Sequence, residues 1–145
     1  MLIDDQLPPR LGEIIEEFQL SEGREKLELL IEYALSLPAL PDRLAGQRDQ
    51  MDQVHECMTP VFVLAETQDG KIVFHFDVPP ESPTVRGYAS IMKQGLDGLS
   101  PEEILGIPGD FFYAMGLHQV LTHQRLNGLT AVLAHMKQLA VRALE

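Results

Sequence analysis

The sequence predicts an α+β fold in which a small antiparallel β-sheet packs against helices. Three features carry that prediction. Helix-period apolar stripes occupy both ends of the chain, a short β-rich apolar run and an alternating period-2 run flank Asp69-Gly70 in the middle, and strands do not alternate with helices as they do in parallel sheets. At 145 residues the chain fits one domain spanning 1–145, and a globule of that size buries about 70% of the surface its unfolded chain exposes. Its 45% hydrophobic and 23% charged residues are the composition of an ordinary packed protein.

Pro8-Pro9 blocks any helix before Arg10, and Leu11, Ile14, Ile15 and Phe18 then follow the spacing of one buried helical stripe. Ser21 is the expected N-cap of a second helix with Leu27, Leu30, Ile31, Ala34 and Leu35 as its stripe, stopped by Pro38 and Pro41. Together they predict a helical hairpin. Residues 42–53 are polar, contain Gly46 and have no apolar period, which predicts a mobile loop. Val61-Phe62-Val63-Leu64-Ala65 is rich in strand formers, and Ile72, Phe74, Phe76 and Val78 alternate with Lys71, Val73, His75 and Asp77. Asp69-Gly70 joins these two strands, because both residues tolerate the positive φ of a tight hairpin turn.

Pro79-Pro80 stops the second strand, and Ser82-Pro83 reads as N-cap and first residue of a helix through Val85, Ala89 and Met92 that closes near Gly95 or Gly98. Ser100-Pro101-Glu102-Glu103 carries the capping-box pattern and starts a short helix to about Leu105. Asp110 is placed to cap the short turn Phe111-Phe112-Tyr113-Ala114-Met115, which Gly116 ends. Thr122 caps the last helix. Its stripe is Leu126, Leu129, Leu133, Met136 and Ala140, with Lys137 and Arg142 toward the negative end of the dipole.

The formal net charge is −11, from 22 acidic and 11 basic residues, and no Lys/Arg cluster could neutralise several phosphates together. Nucleic acid is therefore not an expected partner, whereas a basic protein surface fits the charge. The early glutamates, Glu13, Glu16, Glu17, Glu22, Glu25, Glu28 and Glu32, read as a solvated helix face. No apolar run reaches the roughly 18 to 20 residues of a membrane span, and Met1-Leu2-Ile3-Asp4-Asp5 has no secretory pattern. A cytoplasmic location is expected, where the single cysteine stays a free thiol.

That cysteine stands in Val54-His55-Glu56-Cys57-Met58-Thr59-Pro60, where the polar loop becomes a strand. A thiol attacks sulfur or carbon as the thiolate, and an unperturbed thiol has a pKa near about 8.5. A cation beside Cys57 would favour ionisation. The candidates are His55, which shares a face with Cys57 if the segment is extended, and Arg125. Glu56 acts in the opposite sense, since a neighbouring carboxylate raises the thiol pKa. The plainer reading of a lone cysteine is an inert buried hydrophobe, and that of Arg125 is a surface or capping residue.

Other chemistries lack their parts. His55, Cys57, His75, His118 and His123 form no CxxC, HExxH or regular His pair, so no metal is expected. A cysteine hydrolase could use His75 as its base, but nothing supplies an oxyanion hole. Gly106-x-x-Gly109 lacks the Lys and preceding strand of a phosphate loop, and no cofactor is expected.

Several motifs in order carry a family resemblance: Leu37-Pro38-x-Leu40-Pro41, a single Cys before a Pro and an apolar strand, the Asp69-Gly70 hairpin and the Arg86-Gly87 helix. They continue through Ser100-Pro101-Glu102-Glu103-Ile104-Leu105 and Leu121-Thr122-x-x-Arg125-x-Asn127-Gly128-Leu129. From about Leu11 to the C-terminus the chain resembles the SufE family, the sulfur acceptors of cysteine desulfurases in iron-sulfur cluster assembly. The resemblance implies a SufE/IscU-like sandwich of helices and a small antiparallel sheet. It also implies a persulfide on Cys57, a desulfurase partner of the SufS or CsdA type and an iron-sulfur scaffold as downstream acceptor. The chain would be a sulfur-transfer partner rather than a stand-alone turnover enzyme, as a monomer or weak homodimer.

Two departures bear on partner choice: Glu56-Cys57-Met58-Thr59 stands where Gly-Cys-Gln-Ser is commonest, and Asp77-Val78-Pro79-Pro80-Glu81-Ser82 where many members have Asp-Ser-Asp. The expectation for a carrier is a protected persulfide under a lid of Met58, Phe62 and the last helix, with residues 42–53 moving before each transfer. The alternative function is a non-covalent adaptor that binds and regulates a desulfurase without carrying sulfur.

Overall fold

A computed structural model of the chain describes residues 7–55 and 59–145. Six α-helices and a three-stranded sheet follow one another among them: α1 (Pro9–Gln19), α2 (Arg24–Leu35), β1 (Asp52–Gln53), β2 (Phe62–Gln68), β3 (Lys71–Asp77), α3 (Pro83–Leu96), α4 (Pro101–Leu105), α5 (Phe111–Ala114) and α6 (His123–Leu144). This is the α+β arrangement that the two period types predict.

Pro9 opens α1 as its first residue, where a missing N–H costs nothing, and Leu11, Ile14, Ile15 and Phe18 are buried as their spacing requires. The second helix departs from expectation. Its N-cap is Gly23 at φ 50°, while the Ser21 hydroxyl donates back to the Glu17 carbonyl. Its buried face is Lys26, Leu30, Tyr33 and Ala34, leaving Ile31 and Leu35 exposed. The stripe is rotated because two close contacts outweigh the count of apolar residues. A Cβ on Gly87 of α3 would lie 2.5 Å from the Leu30 carbonyl oxygen, so the two helix backbones nearly touch there. Lys26 turns inward because its ammonium donates to the Phe18 and Ser21 carbonyls, at the negative end of α1.

The sheet is antiparallel in the order β1-β2-β3. Phe62 pairs with Asp77 and Gln68 with Lys71, a register that leaves Asp69-Gly70 as a two-residue turn with φ 54° and 77°. Val63, Ile72, Phe74 and Phe76 face the helices and are buried. The free edge of β3 is closed by the end of α3: Phe74 N–H donates to Asp97 at 2.8 Å, and Ile72 pairs with Leu99.

Residues 42–53, expected as a loop without structure, hold a short 3₁₀ turn at Arg48–Gln50 and the whole of β1. Two residues of strand, Asp52-Gln53, give no periodic signal. The segment is also strapped across the outer face of the sheet. Arg43 grips Glu66 with both guanidinium nitrogens, and Arg48 donates to Asp77 at 2.7 Å while covering the Phe62 ring at 4.8 Å. Leu44 and Met51 are buried beneath it.

Thr122 and Ser100 cap their helices as expected, the latter in a complete capping box with Glu103. Asp110 makes no side-chain cap, although Gly116 does end the following turns at φ 77°. The basic residues of α6 have more specific tasks than complementing a dipole. Lys137 donates to the Ile107 carbonyl, and Arg142 reaches Asp52 of β1 at 2.7 Å. Leu126, Leu129, Leu133, Met136 and Ala140 are all buried. No helix among the described residues is long and apolar enough to cross a membrane.

Candidate functional site

The first two turns of α3 and α6 meet at a cavity of about 410 Å³. From α3 it is lined by Val85 and Tyr88, and from α6 by Thr122, Arg125 and Gly128, with Thr59 closing it from the loop before β2. The apolar stripe of α3 turns Val85 and Tyr88 inward together because they are three residues apart. Tyr88 is 2% exposed, and its hydroxyl donates to the Arg125 carbonyl at 3.4 Å, which ties the two helices. Thr122 fixes where α6 begins by accepting the Arg125 N–H at 3.3 Å, and so sets Arg125 in the first turn.

The lining residues of both helices come from their amino-terminal ends. Each end carries about half a positive charge from its aligned peptide dipoles, and Arg125 adds a full one. In a chain of net charge −11, the described lining carries one charged side chain, Arg125, and no carboxylate. It suits a small anion or a thiolate.

The loop from β1 to β2 delivers the cysteine segment. Val54 N–H donates to the Val61 carbonyl at 2.8 Å, just beyond the last strand pair, and so fastens the base of residues 55–60. Asp52, at the start of that base, is anchored from α6 by Arg142 and by His135 at 3.1 Å. Burial alone pushes the Asp52 carboxyl up, but these two partners outweigh it and hold the pKa below the ordinary value. Glu66 is also held low, at about 2, mainly by Arg43 and also by His75 at 2.8 Å.

Of the expected site residues, Arg125 lines the cavity with its side chain exposed at the rim. His55 is an exposed turn residue beyond β1, which ends at Gln53. Cys57, with Glu56 and Met58, lies outside the described residues. Phe62, expected in a lid, instead lies half-buried under Arg48 on the sheet's outer face. His75, the conceivable hydrolase base, is bound to Glu66 on that same face. Among the described residues, no three His, Cys, Asp or Glu side chains gather as metal donors.

Sequence reasoning did not single out Tyr88 or Thr122 as site residues. Tyr88 carried a usable signal, since a tyrosine within a buried stripe needs a hydroxyl partner. The Asp52–Arg142 contact joins residues 90 apart and leaves no local trace.

A family model described as an Fe-S metabolism associated domain, SufE, matches residues 12–140. The chain is 41% identical over 133 residues to an uncharacterised SufE-like protein of Mycobacterium tuberculosis, covering 91% of this chain and 92% of that one. It is 26% identical over 136 residues to the cysteine desulfuration protein SufE of Plasmodium falciparum, covering 90% of this chain and 53% of that protein. The solution structure of a hypothetical protein from Thermus thermophilus superposes with a TM-score of 0.83 at 36% identity, covering 95% of this chain and 98% of the other. The cavity, the three-stranded sheet and these likenesses lead to one conclusion: the chain belongs to the SufE family of Fe-S metabolism domains.

Proposed function

We propose that this single-domain protein accepts sulfur on Cys57 from a cysteine desulfurase, stimulates that enzyme and delivers the sulfur to iron-sulfur cluster assembly. One observation carries the reading. Thr59, two residues after the sole cysteine, lines a cavity that it shares with Arg125 and the first turns of two helices. A desulfurase of the SufS or CsdA type is the donor and an iron-sulfur scaffold the recipient. The exchange takes place in the cytoplasm, with this protein a monomer or weak homodimer. The Plasmodium relatives' name as cysteine desulfuration proteins supports the donor assignment.

The transfer balances without an oxidant. The Cys57 thiolate attacks the outer sulfur of the donor's cysteine persulfide, a new S–S bond forms at Cys57, and the old S–S bond breaks to leave the donor's cysteine as thiolate. Arg125 and the helix ends stabilise the anionic sulfur before and after exchange. His55, two residues before Cys57 in the chain, is a weaker candidate for the same role. Glu56 opposes ionisation, so the thiolate forms most readily once the donor's site encloses it.

Intact mass under non-reducing conditions, after incubation with a cysteine desulfurase and cysteine, tests the proposal. Wild type gains one sulfur that a reductant removes, and Cys57→Ser gains none. Absence of the gain on wild type, with an active desulfurase bound, would leave the non-covalent adaptor as the function.

A further inference from the structure

A second cavity, of about 350 Å³, lies between the α1–α2 turn and the segment that runs from α5 into the 3₁₀ turn Leu117–Gln119. It shares no lining residue with the first. Lys26 lines it and is only 5% exposed. An ammonium carries three N–H donors. Two of them go to the Phe18 and Ser21 carbonyls, and among the described residues the third finds no acceptor and the charge no carboxylate. A buried charge without an opposite one is costly, so a site of this kind favours an anion that enters from outside.

The residues around the ammonium suit an organic anion. Gly116 makes room for the lysine at the cavity: it stands at φ 77°, and a Cβ there would lie 2.7 Å from Lys26 Cε and 3.2 Å from Nζ. The Gln119 side-chain amide is close by, its Oε1 3.5 Å from that same point, and adds a neutral group able to donate. The rings of Tyr113 and His118, 5.0 Å apart, also line the cavity, and Tyr113 is 52% exposed. An aromatic pair left open beside a cation offers a surface to a carbon skeleton, which an inorganic ion lacks. Glu22 lines the cavity too and is exposed. Its carboxylate disfavours a second negative charge on the ligand.

We propose that this cavity binds a small organic monocarboxylate. The carboxylate takes the remaining N–H and the charge of Lys26, the Gln119 amide is its second donor, and the carbon skeleton lies along Tyr113 and His118. Nothing in this site involves Cys57, so it is a function separate from sulfur transfer.

The test is a titration of the full chain with sodium propionate, followed by the backbone amide signals in NMR, against sodium chloride at matched ionic strength. Propionate shifts signals of residues 19–26 and 113–119 and saturates with a Kd of about 1 to 10 mM, as expected of so small a ligand. Inorganic phosphate binds about fivefold more weakly or worse, because of Glu22. Lys26→Met weakens propionate by about tenfold or more. Should that variant not fold, Gln119→Leu at its exposed position carries the test with a loss of about threefold to fivefold. L-Alanine separates two sources of the same carboxylate. Binding tighter than propionate makes the ligand an amino acid whose ammonium meets Glu22, and equal or weaker binding makes it a simple acid. Shifts that do not saturate or that chloride reproduces, phosphate binding as tight as propionate, or a Gln119→Leu affinity equal to wild type would overturn the site.

Discussion

Gly87 is the residue that fixes how α2 and α3 pack. A methyl group there would meet the Leu30 carbonyl oxygen at 2.5 Å and the Leu30 side chain at 2.7 Å, and the carbonyl belongs to a helix that cannot step aside. Gly87→Ala should therefore destabilise the fold by about 2 kcal/mol or more through overpacking. Urea unfolding checks this, and a midpoint equal to wild type would show that the helices can separate at no cost. Arg125 is the opposite kind of residue, exposed and held by its backbone. Its removal costs little stability but takes away charge from the cavity. Arg125→Ala should slow sulfur loading of Cys57 roughly three- to tenfold, the worth of one partly screened charge, at an unchanged Tm. An unaltered loading rate would reduce Arg125 to a rim residue.

At the scale of elements, legibility followed the strength of local signals. The Asp69-Gly70 hairpin, the stripe of α6 and the capping box at Ser100 each announce themselves within a few residues, and each formed as read. The face of α2 was misjudged because Lys26 looks solvated until the Phe18 and Ser21 carbonyls are beside it. Residues 42–53 were misjudged for a related reason: Arg43, Arg48 and Asp52 find partners on β2, β3 and α6, which no window of sequence contains. Arg125, singled out in advance for its charge, lines the cavity, whereas Thr122 beside it was read only as a cap.

The strap has a testable acid dependence. Folding lowers the Glu66 pKa from 4.5 to about 2, chiefly through Arg43. That contribution is complete above the unfolded value and drains away as the pH falls through the folded one. Arg43 is more than half exposed, so solvent screening keeps this contribution small. The Tm gap between wild type and Glu66→Gln should be constant from pH 7 to 5 and close steadily toward pH 2. A gap that does not narrow would assign the effect to packing instead of charge. Hydrogen exchange over residues 42–50 should quicken in the Arg43→Gln/Arg48→Gln double variant, and equal protection would mean that Leu44 and Met51 hold the strap unaided.

For the whole molecule, 22 acidic residues against 11 basic ones leave eleven negative charges without a counterpart. Salt acts on this chain in two opposed ways. It weakens the surface ion pairs, such as Arg10–Glu13 and Arg48–Asp77, which are solvent-exposed and individually weak. It also screens mutual repulsion. Two like charges about 10 Å apart in water repel by roughly 0.4 kcal/mol, and eleven unbalanced charges on one small globule make dozens of such pairs. The sum is several kcal/mol before screening, part of which the expanded unfolded chain escapes. Repulsion therefore outweighs the pairs, and stability should rise with ionic strength. Raising NaCl from about 0.01 to 0.3 M shortens the screening length from about 30 Å to under 8 Å and should lift the Tm by about 3 to 5 °C. A Tm that falls over this range would mean that the clamps at Glu66, Asp77 and Asp52 contribute more than isolated surface pairs do. The strap and the tie to α6 would then be a cooperative network holding β1 and the base of the cysteine segment in place.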